Sequence, residues 1–491
     1  MRSLKHSLLV LLLMLIYNSV YSQVKPVFNW ERSIDSGWST SLLTVTLSGD
    51  VIASSTANFT NLLARLNPKG EILWKLPYGS SVWDDTASVN TLYIDEYQGS
   101  VRMYGRRLWS FFSDKGWLVR WDIDSQGQYF QWCCDYKIAQ QIYGAPMLIL
   151  PGANNSMYLC GIVTSGTAEV RDKVFFTKTD STGKEEFKVY SDVRVDSGEA
   201  FVSVNEILPQ PDRGFVIVGD ILYDNFRKQD IFLLRIDSLG KKQWSKLYGS
   251  DKYPEILGRV VSTNDGGFIV ASRSKYLGNE LTYGMYCIKT DSIGTIQWEK
   301  TYFESNITSI FPTSILRTKT NKYVLTGKAT GGESLDSGDC YILQIDSTGK
   351  KLLSHQFGSS GEDFLLTAKE LQNGNLIIGG RLDRKMYVAE LSIPELVIGV
   401  YESNQPNEKM INIKQNSEEL YVRYRTPAST SITLSMYNSV GHEIYRSSSE
   451  NAATGNEYSK TIPLLNLSSG VYYIRLVTGT TSLVSPVIVI R

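Results

Sequence analysis

Six times along the chain a short phrase recurs, as "NPKG", "DSQG", "DSTG", "DSLG", "DSIG" and again "DSTG", ending on Gly70, Gly127, Gly183, Gly240, Gly294 and Gly349. Neighbouring glycines stand 54 to 57 residues apart. A phrase repeated at so even a spacing is not a single active site. The period is too long for one coil of a solenoid, and it suits a four-stranded unit repeated around a ring, as in a β-propeller.

The fourth copy divides into four strands: "FVSVNEIL", "GFVIVGDIL", "DIFLLRID" and "KKQWSKLYG", with turn signals "PQPDRG" and "DSLG" before the second and the fourth. The same frame finds seven second strands and seven third strands but only six fourth strands, because "MYVAELS" is followed by "IPELVIGV" with no glycine turn. The missing strand is at the other end of the repeat, where "FNWERSID" at 28–35 carries the Trp and basic spacing of "KQWSKLYG". The pattern therefore predicts a seven-bladed ring closed by its N-terminal strand, with six or eight blades as the alternatives. Closure of this kind leaves no unpaired edge between first and last blade.

The repeated phrase is expected to be scaffolding. Asp237 accepts backbone N–H groups at the head of a turn, and Gly240 takes the positive φ at its exit. Asp180, Asp291 and Asp346 repeat that chemistry. Trp74, Trp132, Trp244 and Trp298 recur on the apolar side of the fourth strand, where large rings fill the wedge between neighbouring blades.

Fifty basic residues balance fifty acidic ones, so the chain carries no electrostatic footprint for nucleic acid or an anionic membrane surface. Residues 1–22 place Arg2, Lys5 and His6 before the apolar run "LLVLLLMLI", which is short for a transmembrane helix and fits a secretory signal; an anchored helix is the alternative. The five cysteines, Cys133, Cys134, Cys160, Cys287 and Cys340, show no spacing for zinc or for redox exchange. The adjacent pair in "WCCD" resembles that of quinone-dependent dehydrogenases with a propeller fold. Here, however, it falls on the outermost strand of its unit, away from the axis where a quinone would sit, and no cofactor is expected.

Copies such as "FGSSGEDFLLTAKELQNGNLIIGG" and "TNDGGFIVAS" resemble the SBBP-related propeller repeats of secreted Bacteroidetes proteins, over roughly residues 28–392. Beyond a linker at 393–407 the rhythm stops. Residues 408–491 read as a small β-sandwich of about seven short strands, similar to an immunoglobulin fold, with "NSVGH" as a hairpin turn. There "LSMYNSVGHEIYR", "LLNLSSGVYYIRLVTG" and the closing "VIVIR" resemble the type A C-terminal sorting domain of the type IX secretion system. The matching positions are Tyr437, Gly441, Ser469, Gly470, Val471, Tyr472 and Arg475, while "PNEKMINI" replaces the usual Asn-Pro opening. The resemblance implies the type IX machinery as partner and a Gram-negative location, secreted or attached to the outer-membrane surface. It also implies that "DSL" at 237, "DSI" at 291, "DST" at 180 and 346 and "DTA" at 85 are O-glycosylation acceptors, plain turn chemistry being the alternative.

Function in a ring of this kind gathers on loops at one mouth of the axis, and the connections from fourth strand to next first strand are the longer, more varied set. They carry Asp35, Trp38, Trp83, Asp84, Asp85, Asp196, Glu199, Asp251, Glu255, Glu362 and Asp363. Such residues suit a carbohydrate or a cation, calcium being the candidate metal. Alternatively, one carboxylate per unit braces its own loop. With His355 and His442 the only histidines after the leader, and no H-E-x-x-H, G-x-S-x-G, P-loop or EF-hand spacing, the expected role is binding or adhesion toward glycan or protein. A carbohydrate-active hydrolase or lyase using the acidic loops is the alternative.

Overall fold

The computed structural model describes residues 26–393 and 411–489, apart from 37–38, 57–60, 79–87, 98, 109–115, 137–145, 164–172, 194–199, 224–228, 250–254, 276–281, 305–306, 332–337, 416–418, 426–429, 439–442, 449, 454–456, 464–469 and 479–480. The expected leader lies outside the described residues. Apart from one 3-10 turn, Ala153–Asn155, the regular structure described is all strand.

Phe28–Ser392 form one compact unit. Its described residues form seven four-stranded sheets, the fifth and sixth joined by a parallel pairing of Tyr283 with Ser309. The fourth sheet is typical: Ala200–Pro209, Phe215–Tyr223, Gln229–Ile236 and Lys242–Tyr248 follow one another as antiparallel neighbours. The first strands are Ser39–Val45, Ser88–Tyr97, Pro146–Pro151, Ala200–Pro209, Ile256–Ser262, Ser309–Arg317 and Phe364–Glu370. Each touches the next, and the last touches the first, so the cycle of contacts closes.

Burial explains the sequence texture of each sheet. Middle strands are covered on both faces by neighbouring sheets and read as unbroken apolar runs; Asn61–Leu66 is buried at every position. Fourth strands keep one side in water and alternate, as Ile72–Tyr78 does from Leu73 on. The core lies in layers between consecutive sheets: Phe176 meets Ile217 and Phe232 between the third and fourth, and Ile34, Leu43, Ile377 and Val388 close the seventh onto the first.

Val27–Ser36 is the fourth strand of the seventh sheet, hydrogen-bonded to Lys385–Ser392. Side chains reinforce this seam. Trp30 Nε1 donates to Glu390 Oε2 at 2.9 Å, Asn29 to Glu390 Oε1 at 3.1 Å, and the Tyr387 hydroxyl to Glu31.

The recurring turns are clamps between sheets. Asp237 Oδ1 accepts the N–H groups of Leu239 and Lys241, both at 2.9 Å, and Gly240 has φ 79°. Asn67, Asp124, Asp180, Asp291 and Asp346 do the same in their own copies. The fourth-strand Trp reaches the turn of the next sheet: Trp30 Nε1 donates to Pro68 O at 3.1 Å, Trp74 to Ser125 O at 3.0 Å and Trp298 to Ser347 O at 3.1 Å. The ring of that Trp lies over the turn glycine, Trp30 on Gly70, Trp244 on Gly294 and Trp298 on Gly349. Phe187 occupies the position before the fourth turn, and Leu353 the position before the seam, where no glycine turn exists to be covered.

This contact sets a quantitative expectation. A Cβ at Gly70 would lie 2.4 Å from Trp30 Cδ2 on a backbone at φ 76°, whereas one at Gly374, at φ 86°, meets nothing within 4 Å. Gly374→Ala should therefore cost about 1 kcal/mol of backbone strain, and Gly70→Ala about 2–4 kcal/mol with the clash added, read as denaturant midpoints.

The C-terminal unit is built from a three-stranded sheet, Ile411–Gln415, Glu419–Arg425 and Glu457–Pro463, and a second sheet of Thr430–Tyr437, Glu443–Arg446, Glu450–Ala452, Gly470–Thr478 and Thr481–Val489. Leu420, Val422, Tyr424 and Ile462 from the first share a core with Ile432, Leu434, Met436, Ile474 and Leu476 from the second. Ile411–Gln415 and Glu450–Ala452 are strands that the sequence pattern does not announce. Pro486 is tolerated because Thr481–Val489 is an edge strand.

Candidate functional site

An antiparallel meander puts alternate connections at opposite ends of its sheet. The turn after each first strand and the Asp/Asn-to-Gly turn after the third strand of the first six sheets share one end. The other two sets of connections share the opposite end, and this loop end holds the residues that the sequence nominates.

Trp38, Trp83, Asp84, Asp85 and Asp251 lie outside the described residues, as do Asp196 and Glu199. Asp35 is described and pairs with Lys75 at 2.9 Å. The remaining three, Glu255, Glu362 and Asp363, divide by burial.

Glu255 is buried, accepts the Ser274 hydroxyl at 2.8 Å and donates its own N–H to Gln229 O at 2.8 Å. Asp363 is fully buried; it accepts the N–H of Asp383 at 2.8 Å and that of Ser359, and donates its own N–H to Gly338 O at 2.6 Å. Both acids thus tie their own loop to the third strand of the sheet before it and to the sheet after it. They brace the chain. Glu362, 44% exposed, meets Lys328 at 2.7 Å and Arg381 at 3.7 Å.

Two further acids escaped the sequence pattern. A Cβ on Gly249 would come within 2.3 Å of Asp230 Oδ1 and 3.0 Å of Glu255 Oε2, and one on Gly358 within 2.3 Å of Asp339 Oδ1 and 2.9 Å of Asp363 Oδ2. The glycine of "YGS" and "FGS" is therefore demanded by two carboxylates that close on the space a Cβ would fill. Asp230 takes the Tyr223 hydroxyl at 3.1 Å and Asp339 the Gln356 amide at 2.6 Å. Their signal was in the sequence, since each stands seven residues before its turn aspartate, Asp237 or Asp346. Among the described residues no group of three or more His, Cys, Asp and Glu could hold a metal ion.

Substitution separates bracing from binding. Asp363→Ala strips the acceptor from two N–H groups and should cost about 2–4 kcal/mol in a thermal or urea melt, whereas Glu362→Gln on the half-exposed pair should cost under about 1 kcal/mol.

His355 stacks on Phe357, ring centroids 5.6 Å apart, with Phe28 of the closing strand at 6.4 Å. Cys160, Cys287 and Cys340 are buried free thiols, and burial pushes each pKa up. Cys133 and Cys134 lie on Tyr129–Tyr136, the fourth strand of the second sheet, opposite Val119 and Leu118.

In the C-terminal unit Tyr437 donates its hydroxyl to Glu443 at 2.8 Å, and that bond, with Arg446 beside it, holds the Glu443 carboxyl below the usual range. Gly470 and Val471 open a strand opposite Val489 and Ile488; Tyr472 is buried and Arg475 exposed. Gly441 and Ser469 lie outside the described residues.

Residues 405–490 match the family model of the secretion system C-terminal sorting domain. No curated protein matches the chain. Among solved structures it is similar to a protein of unknown function from Dyadobacter fermentans, at 11% identity over 63% of this chain and 94% of that one, with a TM-score of 0.43. It is also similar to an α-L-arabinanase from Penicillium chrysogenum complexed with arabinobiose, at 9% identity over 74% of this chain and 98% of that one, TM-score 0.38. An α-L-arabinofuranosidase from Fusarium graminearum is similar at 10% identity over 76% of this chain and 98% of that one, TM-score 0.39. The sorting domain makes this a secreted or cell-surface-attached protein. No helix among the described residues is long and apolar enough to cross a membrane.

Proposed function

We propose that residues 23–392 are a seven-bladed propeller acting as a binding or adhesion module for glycan or protein outside a Gram-negative cell, with SBBP-like repeats of the Bacteroidetes kind over roughly residues 28–392. In this reading residues 1–22 are a signal peptide, and residues 408–491 an immunoglobulin-like sandwich that engages the type IX machinery. The observation that carries it is the contrast between the two ends of the sheets. At the turn end, aspartate, glycine and tryptophan repeat the same clamp from copy to copy. At the loop end the connections differ from copy to copy in length and sequence, which is where a scaffold puts recognition.

Binding is favoured over hydrolysis because the described acids Glu255 and Asp363 are engaged in their own backbone and hydroxyl bonds, and His355 is packed against the rings of Phe357 and Phe28. A general acid or base needs a carboxyl or imidazole turned toward substrate. The test is a glycan and matrix-protein screen on the mature chain beside a reducing-sugar release assay, repeated with Asp84, Asp85 and Glu362 replaced by alanine. Binding that the replacements weaken, with no sugar released by the unaltered protein, is the expected result. Sugar release would establish the hydrolase or lyase instead.

A further inference from the structure

Among the described residues Arg273 is a cation without the carboxylate that its neighbours have. It stands at the sixth position of Phe268–Lys275, the second strand of the fifth sheet, close to the loop end. Lys328 and Arg381 occupy the same position in Tyr323–Thr330 and Leu376–Leu382, and both are answered by Glu362. The connection that would serve Arg273 as Glu362 serves Lys328 runs from the fifth sheet to the sixth and carries Glu304. That carboxylate is committed elsewhere, to the Tyr341 hydroxyl at 2.9 Å and Lys351 at 3.0 Å.

The guanidinium is nevertheless held in one place. Its central carbon lies 4.0 Å from the centroid of the Tyr283 ring and 4.2 Å from that of Phe311, and Nε donates to Ser309 Oγ at 3.1 Å. Tyr283 and Ser309 are the pair that joins the fifth and sixth sheets, so the support beneath the arginine is a fixed junction of backbone. Among the described residues nothing accepts from its two terminal nitrogens. Burial lowers the pKa of this group from the ordinary arginine value, the sign of a charge that its surroundings do not compensate.

An arginine with a fixed plane, a tethered Nε and an outer edge that no described residue engages is preorganised for a planar two-oxygen acceptor. Stacking on two rings removes most of the rotamer entropy that a surface arginine would lose on binding. We propose that Arg273, set by Tyr283, Phe311 and Ser309, anchors a carboxylate-binding site at the loop end of the fifth and sixth sheets. This deepens the binding role proposed above by naming the chemical class of one ligand group.

The experiment uses the mature chain and three small probes: galacturonate, the neutral sugar galactose, and N-acetylglycine as a carboxylate without a sugar. Binding is read by titration calorimetry and by the chemical-shift response of arginine side chains. Galacturonate is expected to bind and galactose not to; N-acetylglycine binding as well would assign recognition to the carboxylate alone, and its failure would assign it to an acidic saccharide. Arg273→Met, which keeps the stem between the rings, should weaken galacturonate roughly tenfold or more, and Arg273→Lys should recover only part of that. Indifference of galacturonate to both substitutions, or equal binding of galactose, overturns the site. If galacturonate fails while the glycan screen stays positive, only this site falls and the general binding role stands.

Discussion

A chain ending at residue 404 should fold and yet be missing from the cell surface. Residues 405–490 match a sorting domain, and their core of Leu420, Val422, Ile432, Leu434, Ile474 and Leu476 is separate from the clusters of Phe28–Ser392. Removing them subtracts no buried residue from the seven sheets. The expected result is a protease-resistant fragment retained behind the outer membrane, and surface labelling at the level of an unexported control. Leu434→Asp in the full chain gives a second route to the same outcome, since a charge at a fully buried position should unfold this domain alone. Ordinary surface display of either variant would remove the sorting role.

The second large effect concerns the seam. Deleting residues 27–36 removes the partner of Lys385–Ser392, buried Ile34, and the Trp30 and Asn29 bonds to Glu390. Burial of Ile34 alone is worth about 2–5 kcal/mol, and the lost ladder adds to it, so the melting temperature should fall by many degrees. The bare edge of Lys385–Ser392 should also promote aggregation. A synthetic Val27–Ser36 peptide supplied in trans should restore the melt, whereas a scrambled one should not. Equal stability with and without the strand would mean that the closing pairing is dispensable.

How much the sequence reveals depends on how local each feature is. The turn clamps are legible because one aspartate or asparagine, the N–H groups two and four residues on and a glycine at positive φ all lie within five residues, as at Asp237 to Lys241. The displaced fourth strand is legible from the phrase it lacks. The loop acids are not, because identical letters end in opposite states: Asp363 is sealed among backbone N–H groups while its neighbour Glu362 faces two cations. Asp230 and Asp339 escape a linear reading because their packing against "YGS" and "FGS" becomes visible only when the next loop returns. That no described carboxylate meets Arg273 goes with Glu304 being drawn to Tyr341 and Lys351, a choice made in three dimensions. Ile411–Gln415 and Glu450–Ala452 are too short to announce a period.

The seam also decides how the seven sheets would carry load. Lys385–Ser392, the last described strand of the seventh sheet, is not the outermost of that sheet: it is flanked by Leu376–Leu382 on one side and by Val27–Ser36 on the other. Tension transmitted from downstream must break two ladders of hydrogen bonds at once, where a strand in the terminal position would peel from one. For a protein held at a surface through its C-terminal segment, the borrowed N-terminal strand works as a rivet.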